Sequence, residues 1–337
     1  MPQPPNKNKA VRRGSARLWL LIIVAAWLGA AWLLAANRQS ITDWWRLRNY
    51  HPPSAVSQLA AQDTMTPYAR KVFYVNQPAT DDKLQFAKVC PNSSREQTIV
   101  LGCYHSGQAG IFLLGVSDPR LNGVEQVTAA HEMLHAAYDR LSGPERHRVD
   151  AMLLDYYNHG LRDQRIIDVI AAYKKTEPND IVNEMHSVFG TEVAKLPSGL
   201  ERYYRRYFTN RAQIAAYAGQ YQAEFTSRQT AVARDDAQLA GLKARIDALE
   251  TDLKSRQTAI DTQQAVLTTE RSAGNTSAYN AAVPGYNALV NAYNSELQTV
   301  RDLIGQYNQL VAGRNAIALE EGQLVNELSN NLTPINK

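Results

Sequence analysis

Residues 131–135 read His-Glu-Met-Leu-His, within a stretch, residues 124–141, that contains neither Gly nor Pro. Apolar residues recur in this stretch at spacings of three and four, which predicts a helix with one buried face. Two histidines four residues apart lie one turn above each other on a helix, so His131 and His135 can share one metal ion. The spacing predicts a zinc-binding helix, in which Glu132 can act as general base towards a metal-bound water.

The segments before this helix predict a small sheet. Residues 98–104 and 111–116 are short apolar runs rich in β-branched and aromatic side chains, and each predicts a strand. Residues 105–110 contain two glycines and suit a hairpin connection between the strands. After the helix, Gly143 suits a C-terminal cap, and Ser142 with Glu145 has the spacing of a capping box.

A strand pair leading into an HExxH helix resembles the zincin metallopeptidases. The resemblance covers roughly residues 97–190, under a third of the chain, and only the pentamer is specific. It implies that His131 and His135 are zinc ligands, that Glu132 is the catalytic base, and that the strand Gly110 to Ser117 is the sheet edge that pairs with substrate. The extension found in the metzincin branch is absent, because Tyr138 and Leu141 stand where that branch has Gly and His.

The third ligand is expected on a short helix over residues 179–190. Glu184 on this helix is similar to the third ligand of the gluzincin branch, and His186 and Glu192 are the alternatives. Where gluzincins carry an Asp four residues after that ligand, this chain has Val188. With Glu184 as ligand, His186 becomes an orienting group, an oxyanion-stabilising group or a surface residue. The hydrogen-bond donor for the oxyanion is sought among Tyr138, Tyr156, Tyr157, Tyr203, Tyr204 and His186.

The N-terminal region predicts a single membrane span. Leu18 to Ala36 carries no charged residue, and its 19 residues at helical rise reach roughly 28 Å, close to the hydrocarbon thickness of a bilayer. Five basic residues precede the span, which places residues 1–17 in the cytoplasm and the rest outside. A cleaved signal peptide, with small residues at 29–31, is the competing interpretation. Interfacial positions suit Trp32, Trp44 and Trp45.

The chain contains two cysteines, Cys90 and Cys103. An even pair in an extracytoplasmic domain favours one disulfide, and metal ligation is the weaker alternative because no CxxC pair is present.

The C-terminal part has a seven-residue apolar repeat. Apolar residues recur every seven positions from Phe225 to Leu267, and a second series runs through Tyr279, Tyr286, Tyr293, Val300 and Tyr307. Residues 272–275 and Pro284-Gly285 separate the two series. The pattern predicts an antiparallel coiled-coil hairpin with arms of about residues 212–272 and 286–330. The helical hairpin can equally bind a protein partner or self-associate.

The predicted fold class is α+β and predominantly helical. Its parts are a cytoplasmic tail over residues 1–17, a transmembrane helix over 18–36, a membrane-proximal connector over 37–63, a zincin-like domain over 64–210 and the coiled-coil hairpin over 211–337. Five of the 36 basic residues lie in the tail, so the net charge of +4 gives no sign of nucleic-acid binding. Two function classes remain: a membrane-anchored zinc endopeptidase acting on peptides or proteins, and a non-catalytic envelope scaffold whose hairpin binds a partner.

Overall fold

The computed structural model describes residues 1–2, 12–91 and 100–329. The chain is predominantly helical with one small sheet, as the sequence predicts, and it divides into two compact units. The first unit comprises residues 1–115 and 125–215, and the second comprises residues 116–124 and 216–337. The segment 116–124, which connects the sheet to the HExxH helix along the chain, therefore belongs to the second unit.

Twelve α-helices and three strands are present in the described ranges. The helices are α1 Arg12–Ala36, α2 Arg38–Leu47, α3 Ser54–Gln62, α4 Pro67–Val75, α5 Lys83–Val89, α6 Val124–Tyr138, α7 Gly143–Asp155, α8 Gln164–Thr176, α9 Ile181–Glu192, α10 Ser198–Tyr204, α11 Arg211–Ser272 and α12 Thr276–Leu328. The strands are β1 Ala79–Asp81, β2 Gly102–His105 and β3 Gly110–Leu114. A π turn, Tyr156–Gly160, follows α7.

The sheet has the order β1-β3-β2, with β1 parallel and β2 antiparallel to β3. The predicted hairpin between β2 and β3 is present, although residues 98 and 99 of the first predicted strand lie outside the described ranges. Both sides of β3 are paired, so the expectation that Gly110 to Ser117 forms the substrate-pairing edge is wrong. The sequence does not predict the pairing of β1 with β3, because β1 lies some thirty residues upstream and is only three residues long.

The predicted connector, residues 37–63, contributes two helices to the first unit. Val56, Leu59 and Ala60 of α3 are buried, as is Asp43 of α2. The core of this unit continues through β3 and the apolar face of α6. Its largest fully buried side chains include Phe73, Phe86, Ile111, Leu113, Met133, Leu134 and Phe189.

The helix ends around α7 differ from the prediction. Ser142 is the N-cap residue of α7 but makes no side-chain capping bond, and Glu145 pairs with Arg206 at 2.6 Å. Gly143 lies in the first turn of α7 and does not cap α6, which has already ended at Tyr138. Because Glu145 forms this long-range ion pair, it does not form the capping box that its spacing predicts.

Cys90 and Cys103 form the predicted disulfide, with their Cα atoms 6.0 Å apart. The bond joins the C-terminal end of α5 to β2.

In the second unit, α11 and α12 are two long helices that fit the predicted hairpin. A buried seam contains Ile246, Leu253, Val300 and Leu303. Arg314 pairs with Asp236 at 2.9 Å, and Arg256 pairs with Glu296. From Asp236 to Arg256 on α11, the partner on α12 moves back from Arg314 to Glu296. This order shows that the two helices are antiparallel.

The second arm begins earlier than predicted, because α12 starts at Thr276 and continues through Pro284. Asn275 caps this start by accepting a hydrogen bond from the Ala278 backbone N–H at 3.2 Å. Residues 273–275 are therefore the whole turn, with Gly274 at a φ of 71°. A proline removes one hydrogen bond of a helix, and packing along the arm can outweigh that loss.

Within the second unit, the segment 116–124 contacts the ends of both arms. The Ser117 hydroxyl donates to Glu327 at 3.2 Å. Gly123 has a φ of 103°, and a Cβ at this position would lie 2.8 Å from the Tyr217 carbonyl oxygen. Only glycine suits that backbone conformation and that close approach.

Candidate metal centre

Helices α6 and α9 bring three potential metal ligands together. The Nε2 atoms of His131 and His135 lie 3.0 Å apart. The Glu184 carboxylate lies 3.4 Å from His135 Nε2 through Oε1 and 3.7 Å from His131 Nε2 through Oε2. The histidines are neighbours because they are one helical turn apart on α6. Glu184 lies on α9, which begins some forty residues after the end of α6.

The spacing of the two Nε2 atoms and the two carboxylate oxygens fits zinc. Ligands at about 2.0–2.1 Å from one tetrahedral zinc ion lie roughly 3.3 Å from one another. Glu184 Oε2 is buried, and no hydrogen-bond donor reaches it among the described residues. A buried carboxylate oxygen without a donor is costly unless a cation compensates it, and two imidazoles plus one carboxylate form a ligand set that zinc accepts.

Charges in the cluster act on one another. Burial raises the pKa of Glu184, but the two histidines outweigh this effect and lower its pKa below the usual value. Burial opposes the charged form of His131, yet the carboxylates of Glu184, Glu132 and Glu192 raise its pKa to about 9. A histidine binds a metal in its neutral form, so a metal ion that bound to this cluster would displace a proton from it.

Glu132 lies on the same helix, between the two histidines, and faces β2. The Tyr104 backbone N–H lies near its carboxylate and lowers the pKa of Glu132 slightly. Burial raises the pKa of Glu132, and the two nearby histidines lower it only in part. A carboxylate with a raised pKa is a stronger base than a carboxylate at its usual pKa, which favours its use as a general base.

Gly102 on β2 allows this close approach of strand and helix. A Cβ at Gly102 would lie 2.6 Å from Thr128 Cγ2 and 2.8 Å from both Cγ and Oε1 of Glu132. Such distances are shorter than real side-chain contacts, so any larger residue must displace the Glu132 side chain or the strand.

Gly102→Ala is therefore expected to lower the free energy of unfolding by about 1–3 kcal/mol, the usual cost of overpacking. The measurement is denaturant unfolding of the detergent-solubilised chain. Gly199→Ala is the matched control, because its new Cβ would meet only Met152 Sδ, at 3.5 Å. Equal stability of Gly102→Ala and the parent chain would show that strand and helix are not in this close contact.

The alternative ligands and the candidate oxyanion donors form interactions with other residues. Glu192 pairs with Arg165 at 2.6 Å. His186 is fully buried, its Nε2 lies 2.9 Å from the Tyr203 hydroxyl, and burial lowers its pKa to about 3. The Tyr138 hydroxyl donates to Asp150 at 2.7 Å. His186 and Tyr138 therefore have partners of their own, and their assignment to the oxyanion stays a prediction without a supporting contact.

Tyr173 is the residue near the site that sequence reasoning missed. It lies on α8, and after burial the largest influences on its pKa are Glu184, Glu192 and Glu132, all of which raise it. Its phenol is therefore close enough for these carboxylates to disfavour its ionisation. No motif marks Tyr173 in a chain with 17 tyrosines, and only the packing of α8 beside α9 identifies it.

Two other groups have ligand-like spacing. Cys90, Cys103 and His105 come close together, but both cysteines are used in the disulfide. Glu177 and Asp180 approach Glu184 from the segment before α9. Comparison with known proteins adds no assignment: no protein-family model, no curated protein and no solved structure matches this chain.

Proposed function

We propose that this chain is a membrane-anchored zinc endopeptidase that hydrolyses peptides or proteins outside the cytoplasm. The observation that carries the proposal is the convergence of His131, His135 and Glu184 from two helices, with ligand atoms 3.0–3.7 Å apart and Glu132 beside them. A fully structural zinc site has no need of a carboxylate at the position of Glu132, whereas a hydrolase requires a base there.

Each residue of the site would have a separate role in peptide hydrolysis. His131, His135 and Glu184 would hold the zinc ion, which when bound supplies the Lewis acidity that lowers the pKa of water and polarises a carbonyl group. Glu132 would accept the proton of the attacking water and deliver it to the amine of the leaving peptide. Tyr173 keeps its phenolic proton and could donate a hydrogen bond to the carbonyl oxygen as charge develops on it.

Strand β2 is the better candidate for the substrate-pairing edge. Within the described residues it pairs on one side only, with β3. Gly102 of β2 lies directly against the Glu132 side chain, and the Tyr104 N–H lowers the pKa of Glu132, so an extended peptide along this edge would pass the general base. Main-chain pairing at a sheet edge binds many sequences, which suits an endopeptidase.

The proposed topology rests on α1 and on the disulfide. Leu18–Ala36 is long and apolar enough to cross a membrane, and none of it is buried in the protein. The basic tail before it favours a cytoplasmic N terminus. A disulfide between Cys90 and Cys103 is consistent with an oxidising compartment for the first unit. The hairpin of α11 and α12 would position the enzyme, recruit a protein partner, self-associate or limit access to the cleft.

The test is metal analysis combined with a cleavage assay on the purified full chain in detergent. We expect about one zinc per chain, as a three-ligand site of this kind binds a single ion. We also expect cleavage of a peptide library that stops on chelation and returns with added zinc. Zinc without turnover on any substrate would favour the non-catalytic scaffold. Absence of bound metal would remove the peptidase proposal altogether.

A further inference from the structure

Helix α2, which follows the apolar helix α1, exposes a large apolar face. Ile41, Trp44 and Trp45 recur at helical spacing and are 41%, 63% and 61% exposed. The Arg48 guanidinium lies 3.9 Å above the Trp45 ring. Two exposed tryptophans beside an exposed isoleucine are uncommon on a surface that faces only water, and such patches mark binding surfaces.

The opposite face of α2 is fixed to the first unit. Asp43 is only 2% exposed and accepts two hydrogen bonds of 2.9 Å from Arg140, in a bidentate arrangement. Gln108 donates to the same carboxylate at 2.9 Å, and Lys71 lies 3.1 Å from it. Arg46 adds a 2.7 Å hydrogen bond to the Val75 carbonyl oxygen. Helix α2 is thus a rigid part of the unit and not a flexible tether.

The position of α2 along the chain identifies what covers the exposed face. A single residue, Asn37, separates α2 from the end of α1 at Ala36. Trp45 follows Ala36 by nine residues, which is at most about 13 Å along a straight helix. The headgroup layer on each side of the hydrocarbon is roughly 5–8 Å thick. Asn37 has a ψ of 10°, away from helical values, so α2 is free to depart from the axis of α1, and such a bend would let both tryptophans enter that layer.

The side-chain chemistry also matches a lipid surface. Tryptophan is enriched at the membrane–water boundary because its ring is largely apolar and its N–H needs a polar partner. An arginine stacked on such a ring can place its guanidinium among lipid phosphates. A second protein would be an alternative occupant, but α2 is tied by its sequence position to the boundary of the membrane span.

We propose that the face formed by Ile41, Trp44 and Trp45 binds the lipid surface next to the membrane span. The ion pair of Asp43 and Arg140 then holds the first unit, which contains His131, His135 and Glu184, rigidly against that surface. Arg140 lies five residues after His135 and two residues after the end of the helix that bears both histidines. The consequence, which rests on the proposed function, is that the substrates are peptide segments close to the membrane. The lipid contact itself does not depend on catalysis.

Fluorescence of the full chain can test the lipid contact. The chain has five tryptophans, and Trp19, Trp27 and Trp32 lie exposed in α1. Changing these three to Phe leaves Trp44 and Trp45 as the only tryptophan reporters. In phosphatidylcholine vesicles we expect strong quenching by lipids brominated near the headgroup end of the acyl chain, and little quenching by aqueous iodide.

Either of two results would overturn the lipid contact. Strong quenching by iodide without quenching by brominated lipid would place the face in water. Protection from both quenchers would show that a protein covers it. Neither readout requires peptidase activity, so failure of this inference and failure of the proposed function are separate results.

A second variant tests the rigid attachment. Asp43→Asn removes the charge that pairs with Arg140, and we expect it to retain lipid quenching while lowering the midpoint of thermal unfolding by several degrees. Asp82→Asn is the matched control, because this carboxylate is exposed and caps the short helix α5. An unchanged midpoint for Asp43→Asn would show that α2 is not held by this contact.

Discussion

Glu132→Gln is expected to lower peptide hydrolysis by about a thousandfold, in the middle of the range for loss of a general acid–base group. Glutamine has nearly the same shape as glutamate, but it cannot take a proton from water. Since Glu132 is not one of the three clustered ligands, bound zinc should stay at the parent level. Initial rates on a substrate found with the peptide library, together with metal analysis, measure both quantities.

Glu125→Gln is the control for that variant, because Glu125 lies on the same helix but in its first turn, two turns away from the histidine pair. We expect its rate to stay within a few-fold of the parent rate. Undiminished hydrolysis by Glu132→Gln would show that another group acts as base, and loss of zinc in this variant would show that Glu132 supports the metal centre itself.

Local spacing accounts for what the sequence could predict. The histidine pair, the helix that bears it and the hairpin seam each depend on residues a few positions apart, and helical geometry then places them without knowledge of the fold. The disulfide was predictable for a different reason, since two cysteines allow only one pairing.

Contacts between distant segments account for what was missed. The pairing of β1 with β3 turned the predicted edge strand into the central one. Asp43 and Arg140 are 97 residues apart, so the sequence does not predict their ion pair, and α2 was interpreted as part of a connector. Gly102 and Tyr173 carry no motif. The contact of Gly102 with Glu132 and the effect of Glu184 on the pKa of Tyr173 follow only from the packing of β2 and α8. Fold-specific packing of this kind is not encoded in periodicity.

The assignment of the third ligand yields the second large expected effect. Glu184→Ala should weaken zinc binding on the order of a thousandfold, because removal of a ligand costs more than the ten- to hundredfold typical of the groups that support ligands. The affinity is measured by competition with a chromophoric chelator, on the full chain in detergent. Glu184→Gln, which keeps the side-chain volume in this buried position, should weaken binding in the same direction and guards against a packing defect.

Glu192→Ala is the matched control, because Glu192 is the alternative ligand on the same helix and pairs with Arg165 at 2.6 Å. Its loss should leave zinc affinity within a few-fold of the parent value and should cost at most about 1 kcal/mol of stability, as expected for a partly exposed ion pair. A larger loss of zinc affinity in Glu192→Ala than in Glu184→Ala would identify Glu192 as the third ligand. In that event α9 would have to shift relative to α6, because among the acidic side chains of the described residues only Glu184 lies within 3.7 Å of both imidazoles.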